Sequence, residues 1–451
     1  MSGKMNVLLI GGGGREHALA QKLVQSRRLG DLWITNPENA GLAALGKAVD
    51  VPVGIREIYR LEQFCDKHKI GMVVIGPEEP LCEGYADKLS GPARMVFGPS
   101  AEAARLEGDK AWSKQLMRSA SIPTADARIF TDYRAAKDYL ASRESPPALE
   151  GRSQGLAARS KDLHAESPPV IKAAGLAKGK GVVVPRNFKD AYAALERMMV
   201  KKEFGDAGSR VVIEERLEGT EVSVLAIVDG GNILVLPACR DHKRLLDKDE
   251  GPNTGGMGAF CPADNLDDET LRHVEREILV PTIDALRRDG IAYRGVLYAG
   301  LMLTPAGPKA LEFNCRFGDP ECQPLMARLK SDLIDLLEGA CKGTLDRVEV
   351  EWDSRAACTV VLAARGYPDA PKKGAVIEGL EAGAKVADAQ IAIGGATRDR
   401  DGRVVVSGGR VLSVTGLGET LAAARRTAYE CCSKISFEGA QMRTDIGAGA
   451  G

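Results

Sequence analysis

The sequence predicts a multidomain protein of the α/β and α+β classes, and three observations support that prediction. Short apolar runs alternate with helical segments over the first quarter of the chain, which is typical of a doubly wound parallel sheet. A second alternating region follows, and beyond Glu221 the strands are separated by short turns, which favours antiparallel pairing. At 451 residues the chain is too long for one hydrophobic core. We expect an N-terminal parallel sheet, a central unit with a mobile lid, and a small C-terminal α+β domain.

The N-terminal domain is predicted to span residues 1–108. Its strands are the apolar runs MNVLLI (5–10), LWITN (32–36), MVVIG (72–76) and MVFGP (95–99). The first run leads through four glycines into the helical segment REHALAQKLVQS. Strands that alternate with helices in this way form a parallel sheet, because each helix carries the chain back to the same edge.

The predicted lid spans residues 124–217 and is inserted into a core formed by residues 109–123 and 218–345. The lid contains strand and helix patterns such as ARIF, YRAAKDYLAS, VVVP and KDAYAALERMMV. Between them, residues 144–168 are rich in Ser, Pro, Gly and charge, and ESPP occurs near both ends. A stretch this long without periodicity predicts a mobile and dispensable surface insertion.

The core beyond the lid is predicted to contain hairpins, and the end of the chain a separate domain. EVSVLAIVDGGNILVLPA and VLYAGLMLTPAGPKALEFNCRF each consist of two strand patterns joined by a short turn. LDDETLRHVEREILVPTIDALRRDG and DLIDLLEGACKG are the flanking helices. Residues 346–451 mix the strands TVVLAARG and VVVSGGRVLSVTG with the helix ETLAAARRTAYECCSKI, which predicts a small α+β domain.

Composition and charge narrow the class of protein. Hydrophobic residues make up 44% and charged residues 27% of the chain, as in soluble globular proteins. The net charge of −1 provides no basic excess for neutralising phosphates, which argues against a nucleic-acid partner. No apolar stretch approaches membrane-spanning length, and the ten cysteines form no CxxC pair. We expect a cytoplasmic protein with reduced thiols, no membrane partner, and a monomeric or weakly dimeric state.

The segment IGGGGREHA is a candidate anion site, because it follows a strand and opens a helix. It fits a dinucleotide-binding fingerprint poorly. Glu16 occupies the third glycine position, and Asn36 stands where a ribose-binding acid is expected. A hydride-transferring enzyme is therefore disfavoured, and a phosphate-bearing substrate is favoured.

A second glycine-rich segment, KAAGLAKGKGVVV, lies in the predicted lid. It lacks the GKS or GKT of a Walker A loop. Lys172 precedes the loop on a strand, Lys178 and Lys180 lie within it, and Gly179 and Gly181 permit close backbone approach. An ordinary turn is the alternative to a loop that closes over nucleotide phosphates.

Two further segments are candidates for ligand contacts. The segment VVIEERLEGTEVSV places Glu214, Glu215 and Leu217 at the end of a buried strand, and Glu221 follows after a short turn. Such a segment can offer backbone groups to adenine and a carboxylate to ribose, although solvated charge is the alternative. DHKRLLDKDEGPNTGGMGAF, residues 241–260, predicts no regular element, and we expect an irregular segment kept for ligand contacts.

The segment KALEFNCRFGDPECQ predicts a strand with one polar face. Alternate side chains of a strand share a face, so Glu312, Asn314 and Arg316 are expected to point one way. The opposite, apolar face is predicted to hold Leu311, Phe313, Cys315 and Phe317. Glu312 and Asn314 offer the oxygen ligands that Mg²⁺ or Mn²⁺ prefers, and Arg316 can reach a phosphoryl group or an acyl phosphate. An exposed sheet face is the alternative.

Taken together, these segments resemble the ATP-grasp superfamily and, within it, the phosphoribosylamine–glycine ligase family. The matching motifs occur in the order GGREHA, GPEEPL, LEGDK, GLAKGKGV, DHKR, GPNTGGMGA, EFNCRFGDPE and GGRVLSVTGLGETL. The glycine loop is generic to ATP-grasp enzymes, whereas GGREHA, NTGGMGA and CRFGDPE in this order are more specific. The resemblance covers the chain outside the insertion and implies that the central unit is an ATP-grasp core with its lid.

The resemblance also implies substrates and site residues. The substrates would be ATP, glycine and 5-phosphoribosylamine, with Mg²⁺ or Mn²⁺ bound by Glu312 and Asn314 and catalytic roles for Arg316 and Lys243. The residues implied in ATP binding are Lys110, Lys172, Gly179, Lys180, Gly181, Glu214, Glu215, Leu217 and Glu221. The residues implied in substrate binding are Gly13, Gly14, Arg15, Glu16, Pro77, Glu78, Asn253, Thr254, Gly255 and Asp319.

The chain departs from the family pattern at several points besides the insertion. Ala174 stands where relatives usually carry Asp or Ser, and Lys178 where a small or apolar residue is common. ATP affinity or lid closure is expected to differ there, not to be lost. Many ATP-grasp enzymes supply a further metal-binding carboxylate from the strand before the metal strand, and VLYAGLMLT offers none. Metal binding is therefore expected to depend on Glu312, Asn314 and substrate phosphates.

The sequence leaves two alternatives to a ligase that makes glycinamide ribonucleotide for purine biosynthesis. One is another ATP-grasp carboxylate–amine ligase or a carboxylase, which would share the ATP site but not the combination of GGREHA and CRFGDPE. The other is a nucleotide-binding regulator without turnover. The intact set of candidate residues, Lys110, Lys172, Glu312, Asn314 and Arg316, argues against such a loss of activity.

Overall fold

A computed structural model describes residues 4–144, 167–177 and 180–448. Nearly all of the insertion predicted at residues 144–168 lies outside the described residues, as do Lys178 and Gly179. Within the described ranges, no helix is long and apolar enough to cross a membrane. All ten cysteines are free, in agreement with the expectation of reduced thiols.

The N-terminal domain contains the predicted parallel sheet. Its five strands, in spatial order, are Lys47–Ala48, Leu29–Ile34, Met5–Ile10, Ile70–Ile75 and Met95–Phe97. Its helices are Gly14–Leu23, Ala40–Leu45, Ile58–Lys67, Glu78–Cys82, Tyr85–Leu89 and Ala101–Gly108. Every pairing within this sheet is parallel, so the predicted doubly wound arrangement is confirmed.

The turn after the first strand packs closely against the segment that begins helix Glu78–Cys82. Gly11 has a φ of +115°, and a Cβ atom there would lie 2.7 Å from Cδ of Pro77, so only glycine fits without a shift. The Glu16 carboxylate accepts the N–H of Gly13 at 2.6 Å and so begins helix Gly14–Leu23. The two motifs GGREHA and GPEEPL therefore lie side by side.

In the described part of the chain, the predicted lid contains one sheet and two α-helices. The sheet is antiparallel, with the strand order Ala127–Phe130, Val211–Glu214, Val170–Ala173 and Val182–Val183. Helices Tyr133–Glu144 and Phe188–Met199 cover it. A separate small core that includes Leu140, Ile171, Leu195 and Met198 holds these elements together, which is what a body able to move against the rest requires.

The core after the lid is built on a second antiparallel sheet. Its strands, in spatial order, are Ile233–Val235, Thr220–Asp229, Arg294–Thr304 and Gly307–Asn314. The flanking helices are Lys110–Ser119, Asp268–Val274, Val280–Arg288, Cys322–Arg328 and Leu333–Lys342, and a π-helical turn at Glu275–Leu279 joins the second to the third. Both hairpins predicted from the sequence are present.

The polar face predicted for strand Gly307–Asn314 needs a correction. Glu312 pairs with Gly300 and Ala310 with Leu301, so Leu311 is left unpaired in a β-bulge. The bulge turns Leu311 out of the predicted apolar face and into the wall of a cavity. The remaining predicted core residues, Phe313, Cys315 and Phe317, are buried. Arg316 lies just beyond the end of the strand.

The C-terminal sheet is antiparallel and includes two strands that the sequence assigned to the core. In spatial order its strands are Arg240–Asp241, Gly258–Cys261, Ala356–Ala363, Arg410–Gly418 and Ala389–Ile393. Helix Leu421–Cys432 packs on it, and the short helix Leu380–Gly383 and the hairpin Ala396–Arg398 with Val404–Val406 complete the domain. The sheet therefore crosses the boundary predicted between residues 345 and 346.

Residues 241–260 are more regular than the sequence predicted. Strands Arg244–Leu246 and Glu250–Asn253 form a small hairpin around the 3₁₀ turn Asp247–Asp249. Arg443, which is 1% exposed, donates to the carbonyl of Arg244 at 3.3 Å and to the Asp249 carboxylate at 2.6 Å. The expectation of no regular element is wrong because a residue almost two hundred positions away stabilises the hairpin.

His17 joins the N-terminal helix to the C-terminal domain. Its ring is 5% exposed, and its Nδ1 accepts the backbone N–H of Ile393 at 2.8 Å. Burial lowers the pKa of His17 from 6.5 to about 4. The folded protein therefore holds the neutral ring, whose Nδ1 remains a hydrogen-bond acceptor.

We predict that mild acid destabilises this junction. The unfolded chain protonates His17 near pH 6.5 and the folded protein only near pH 4, so the stabilisation is complete above pH 6.5 and is lost as the pH falls toward 4. A pKa shift of this size corresponds to about 3 kcal/mol. The free energy of unfolding in urea, measured between about pH 7.5 and about pH 5, should depend less on pH in His17→Gln than in the wild type. His273→Gln, on an exposed helix, is the matched control; equal pH dependence in wild type and His17→Gln would contradict the assignment.

Candidate active site

A cavity of about 870 Å³ lies where the N-terminal domain, the predicted lid, the core and the C-terminal sheet meet. Elements from all four units supply its wall. The sequence-predicted site residues that line it are Arg15, Pro77, Glu78, Lys110, Lys172, Gly181, Glu214, Glu215, Leu217, Glu221, Lys243, Asn253, Thr254, Gly255, Glu312, Asn314, Arg316 and Asp319. Most of the predicted set is thus brought together around one space.

Four predicted residues among those described do not line this cavity: Gly13, Gly14, Glu16 and Lys180. Glu16 is 2% exposed and bonds to the N–H of Gly13 and to Arg15 Nε, each at 2.6 Å. Its carboxylate is thus occupied in capping a helix and orienting a neighbour, and its assignment to substrate binding stays a prediction. Lys180 is half exposed, and its Nζ lies 3.7 Å from the Asp369 carboxylate of the C-terminal domain.

Arg316 is held between two carboxylates from different parts of the chain. Its Nη2 lies 2.6 Å from Glu107, at the end of helix Ala101–Gly108, and its Nε lies 3.2 Å from Glu78. Burial alone would lower the pKa of Arg316, but the charges of Glu107 and Glu78 raise it above its ordinary value. Glu107 also accepts the backbone N–H of Cys315 at 2.9 Å, so the guanidinium and its backbone are fixed by one side chain.

Glu214 forms a buried ion-pair cluster with two lysines. Its carboxylate contacts Lys172 Nζ and lies 2.9 Å from Lys114 Nζ, and all three side chains are almost fully buried. Burial alone would raise the pKa of Glu214, but the charges of Lys172 and Lys114 hold it below its ordinary value. Lys172 also donates to the Leu311 carbonyl at 3.2 Å, and Lys114 to Thr124 at 2.6 Å. The cluster ties the lid strands to the core.

Glu312 and Asn314 are suited to hold a metal ion. Neither side chain hydrogen-bonds or forms an ion pair with any residue that the structure describes, although both line the cavity. Burial alone would raise the pKa of Glu312, but Lys243, Lys172 and Lys110 lower it, so the group is a carboxylate. Two free oxygen donors on one strand face fit Mg²⁺ or Mn²⁺. The described part of the chain contains no group of three or more His, Cys, Asp or Glu side chains placed to hold a metal ion.

Lys243 and Glu221 form an ion pair on the cavity wall, 2.6 Å apart. Burial alone would lower the pKa of Lys243, but Asp241, Glu221 and Glu312 raise it well above its ordinary value. The lysine is therefore a permanent cation. Its charge acts on Glu312 of strand Gly307–Asn314, and its carbonyl accepts the N–H of Thr254 at 2.7 Å.

A second acidic region of the wall was not predicted. Asp241 lines the cavity, and its side chain bonds to no other described residue. Burial raises the pKa of Asp241 to about 7. The charges of Glu321 and Glu221 contribute to this rise, and the charge of Lys243 opposes it. Glu321 accepts from Tyr298 Oη at 2.6 Å and from Ser223 at 3.2 Å. This part of the cavity favours a cationic ligand group.

Sequence reasoning missed several charged residues of the cavity. Among them are Glu107, Lys114, Asp241, Glu321 and Arg410. Each belongs to a matched motif or lies next to one, such as LEGDK, DHKR, GDPE and GGRV, so the motifs were the available signal. Their roles could not be assigned because most of them depend on a contact with a distant part of the chain.

Family models match three consecutive parts of the chain. The N domain of phosphoribosylglycinamide synthetase matches residues 5–107, its ATP-grasp (A) domain residues 108–322, and its C domain residues 357–449. Together these matches span the cavity and its surroundings.

Individual relatives agree with these matches. The phosphoribosylamine–glycine ligase of Rhodopirellula baltica is 46% identical over 444 residues, covering 98% of this chain and 97% of the relative. A crystal structure of phosphoribosylamine–glycine ligase from Thermotoga maritima superposes with a TM-score of 0.79 at 33% identity, covering 98% of this chain and 100% of that one.

The same fold also occurs in more distant proteins. The biotin carboxylase domain of 2-oxoglutarate carboxylase from Hydrogenobacter thermophilus, solved with MgADP and bicarbonate, has a TM-score of 0.71 at 13% identity, covering 98% of this chain and 92% of that one. An identity this low establishes a common fold alone. The predicted fold class, with an ATP-grasp core, is confirmed.

Proposed function

The chain belongs to the phosphoribosylamine–glycine ligase family, and on that premise we propose how its cavity carries out the reaction. The enzyme is an ATP-dependent ligase of purine biosynthesis that joins glycine to 5-phosphoribosylamine and gives glycinamide ribonucleotide, ADP and phosphate. One observation supports the residue assignments: a single cavity of about 870 Å³ is lined by several lysines, by the side-chain oxygens of Glu312 and Asn314, and by Arg316.

ATP would occupy the space between lid and core. Lys110 and Lys172 would face its phosphates, because both are cations on the wall beside Glu312. The segment from Glu214 to Leu217 would meet adenine through its backbone, since the Glu214 carboxylate is already held by two lysines. Residues 124–217 would close over the nucleotide and exclude water from a reactive acyl phosphate.

Glu312 and Asn314 would hold the divalent cation together with the nucleotide's phosphates. A bound Mg²⁺ or Mn²⁺ supplies charge neutralisation for the transferred phosphoryl group. The two protein ligands themselves orient that group relative to the strand end, where Arg316 follows.

Glycyl phosphate would form beside Arg316. A glycine carboxylate oxygen attacks the γ-phosphorus of ATP, the bond to the β,γ-bridging oxygen breaks, and ADP leaves. The guanidinium is pre-oriented by Glu107 and Glu78, so it can stabilise charge on the reacting oxygens without reorganising. The amine of phosphoribosylamine then attacks the acyl carbon, phosphate leaves, and the nitrogen loses a proton as the amide forms.

The glycine ammonium would lie at Asp241 and Glu321. Glycine carries a positive charge at the end opposite its reacting carboxylate, and this part of the wall has an unpaired carboxylate whose burial is unfavourable without a cation. Binding the ammonium there offsets the desolvation of Asp241 and leaves the glycine carboxylate free to face the phosphoryl group.

The direct test is phosphate release from ATP with Mg²⁺, with glycine and phosphoribosylamine supplied singly and together. We expect release that needs both and a product with the mass of glycinamide ribonucleotide. Release with a different acid or amine would retain the ATP-dependent ligation and overturn the substrates, and nucleotide binding without release would overturn the enzymatic function.

We predict that Arg316→Ala lowers kcat by about 10²–10³-fold, as the loss of one oriented donor does in other enzymes. Arg316→Lys should recover part of the loss, because it keeps the charge but not the two-pronged geometry. Steady-state kinetics with thermal melts will separate catalysis from folding, and Arg347→Ala, on the exposed surface, is the matched control. A near-normal kcat in Arg316→Ala would remove this residue from the mechanism.

We predict that Glu312→Gln raises the Mg²⁺ concentration needed for half-maximal activity about tenfold or more, because a neutral amide replaces the only protein carboxylate assigned to the metal. The measurement is the initial rate as a function of free Mg²⁺ at saturating ATP. Glu349→Gln, an exposed residue, controls for the loss of one negative charge. An unchanged Mg²⁺ dependence would refute the ligand role.

We predict that Asp241→Asn raises the KM for glycine about tenfold with little change in the KM for ATP, because only the ammonium contact is lost. In the wild type the KM for glycine should rise as the pH falls through about 7, where Asp241 takes up a proton and loses its charge. The Asn variant should lack this pH dependence. The same pH profile in both enzymes would place the titrating group elsewhere.

A further inference from the structure

Arg410 brings the C-terminal domain into the cavity. It is the first residue of strand Arg410–Gly418, and it lines the wall. Its Nη1 donates to the carbonyl oxygens of Gly255 at 2.6 Å and Asp319 at 2.5 Å, and its Nη2 donates to the Asp319 carboxylate at 2.8 Å. One guanidinium therefore joins two loops of the core from the C-terminal side.

The guanidinium of Arg410 retains donors for a ligand. Of its five N–H groups, two on Nη1 and one on Nη2 are used in these contacts. Nε–H and the second Nη2–H have no acceptor among residues 4–144, 167–177 and 180–448, and the side chain is 26% exposed. Two spare N–H groups on a cavity-lining arginine suit the oxygens of a phosphate.

The charges around Arg410 differ from those around the metal strand. Burial alone would raise the pKa of Asp319, but Arg410, Arg15 and then Arg316 lower it. Lys243, Lys172 and Lys110 contribute most of the positive charge at Glu312, and Arg410 and Arg15 most of that at Asp319, whereas Arg316 contributes to both. The cavity thus has two cationic regions that meet at Arg316.

The second region needs an anionic ligand of its own. Arg15, from the N-terminal helix, is 7% exposed, lines the cavity, and donates to Glu16 and to the Phe317 carbonyl. In the proposed function, the phosphates of ATP bind at Lys110 and Lys172, on the other side of Arg316. Of the other two substrates, glycine has no phosphate, and phosphoribosylamine has a phosphate and the attacking amine on one small sugar.

We infer that Arg410 is a specificity-determining residue that binds the 5-phosphate of the amine substrate, on the same side of Arg316 as Arg15. This inference rests on the proposed function. The C-terminal domain would then select the amine substrate, while the lid and core bind ATP and glycine. The competing explanation is that Arg410 only holds the loops of Gly255 and Asp319 in place. In that case the effect of substituting Arg410 would not depend on the phosphate of the amine substrate.

The test compares two acceptors that differ only in the phosphate. Phosphoribosylamine and ribosylamine, each formed in place from ammonia and the matching sugar, are assayed with ATP and glycine by product mass and initial rate. In Arg410→Gln, kcat/KM for phosphoribosylamine should fall about 10²-fold, and that for ribosylamine should change less than about threefold. The inhibition constant of ribose 5-phosphate should rise by about tenfold or more, with the KM for ATP unchanged.

Three variants serve as controls. Tyr367→Phe removes only the hydroxyl that accepts the N–H of Gly255 at 2.9 Å, so it loosens the same loop without touching the guanidinium. Arg410→Lys keeps the charge, and Arg403→Ala removes an exposed arginine of the same domain. Arg410→Lys should keep part of the discrimination, and Tyr367→Phe should affect both acceptors equally.

Either of two results would overturn the inference. An equal fall for both acceptors in Arg410→Gln, matched by Tyr367→Phe, would make Arg410 a clamp alone. Unchanged kinetics and an unchanged ribose 5-phosphate inhibition constant would exclude any role. Failure of the wild type to form product from glycine and either amine would refute the proposed function instead, so the two failures are distinguishable.

Discussion

The buried guanidinium of Arg316 is the constraint on which the arrangement of this cavity depends. A charge removed from water must be paired, and Arg316 is paired with Glu107 and Glu78, which belong to two different segments of the chain. The Glu107 carboxylate also accepts the N–H of Cys315, so the end of the metal strand is fixed relative to the N-terminal domain. The arginine that would meet the acyl phosphate is therefore placed by the junction of the domains, not by its own strand.

The same rule governs the connection between lid and core. Glu214 ends a lid strand, yet its carboxylate is shared by Lys114 of a core helix and Lys172 of the neighbouring lid strand. Removing Glu214 would leave two buried lysines without the carboxylate that they share, which costs several kcal/mol. The cluster also keeps Lys172 pointing toward the carbonyl of Leu311, the bulged residue of the metal strand. Packing and electrostatics thus bring Lys172 and strand Gly307–Asn314 together.

The C-terminal domain contributes to the cavity because its sheet is shared. Strand Gly258–Cys261 pairs with the C-terminal strand Ala356–Ala363, and strand Arg240–Asp241 pairs with Gly258–Cys261 at the edge of the same sheet. This places Asp241 and Gly255 close to elements that also carry Arg410. The domain is consequently a wall of the active site and not an appended module.

The sequence alone determined the parallel N-terminal sheet, the two core hairpins, the family and many of the residues that line the cavity, because periodicity and ordered motifs are local properties of the chain. It did not reveal the bulge at Leu311, the capping role of Glu16, the ordered hairpin held by Arg443, or the charged contributions of Glu107, Lys114, Asp241, Glu321 and Arg410. Apart from the capping by Glu16, which is local, these features depend on which distant group lies opposite. Local pattern states which residues can pair or bind, and only the tertiary structure decides which partners satisfy the buried charges and which side chains stay free for a ligand.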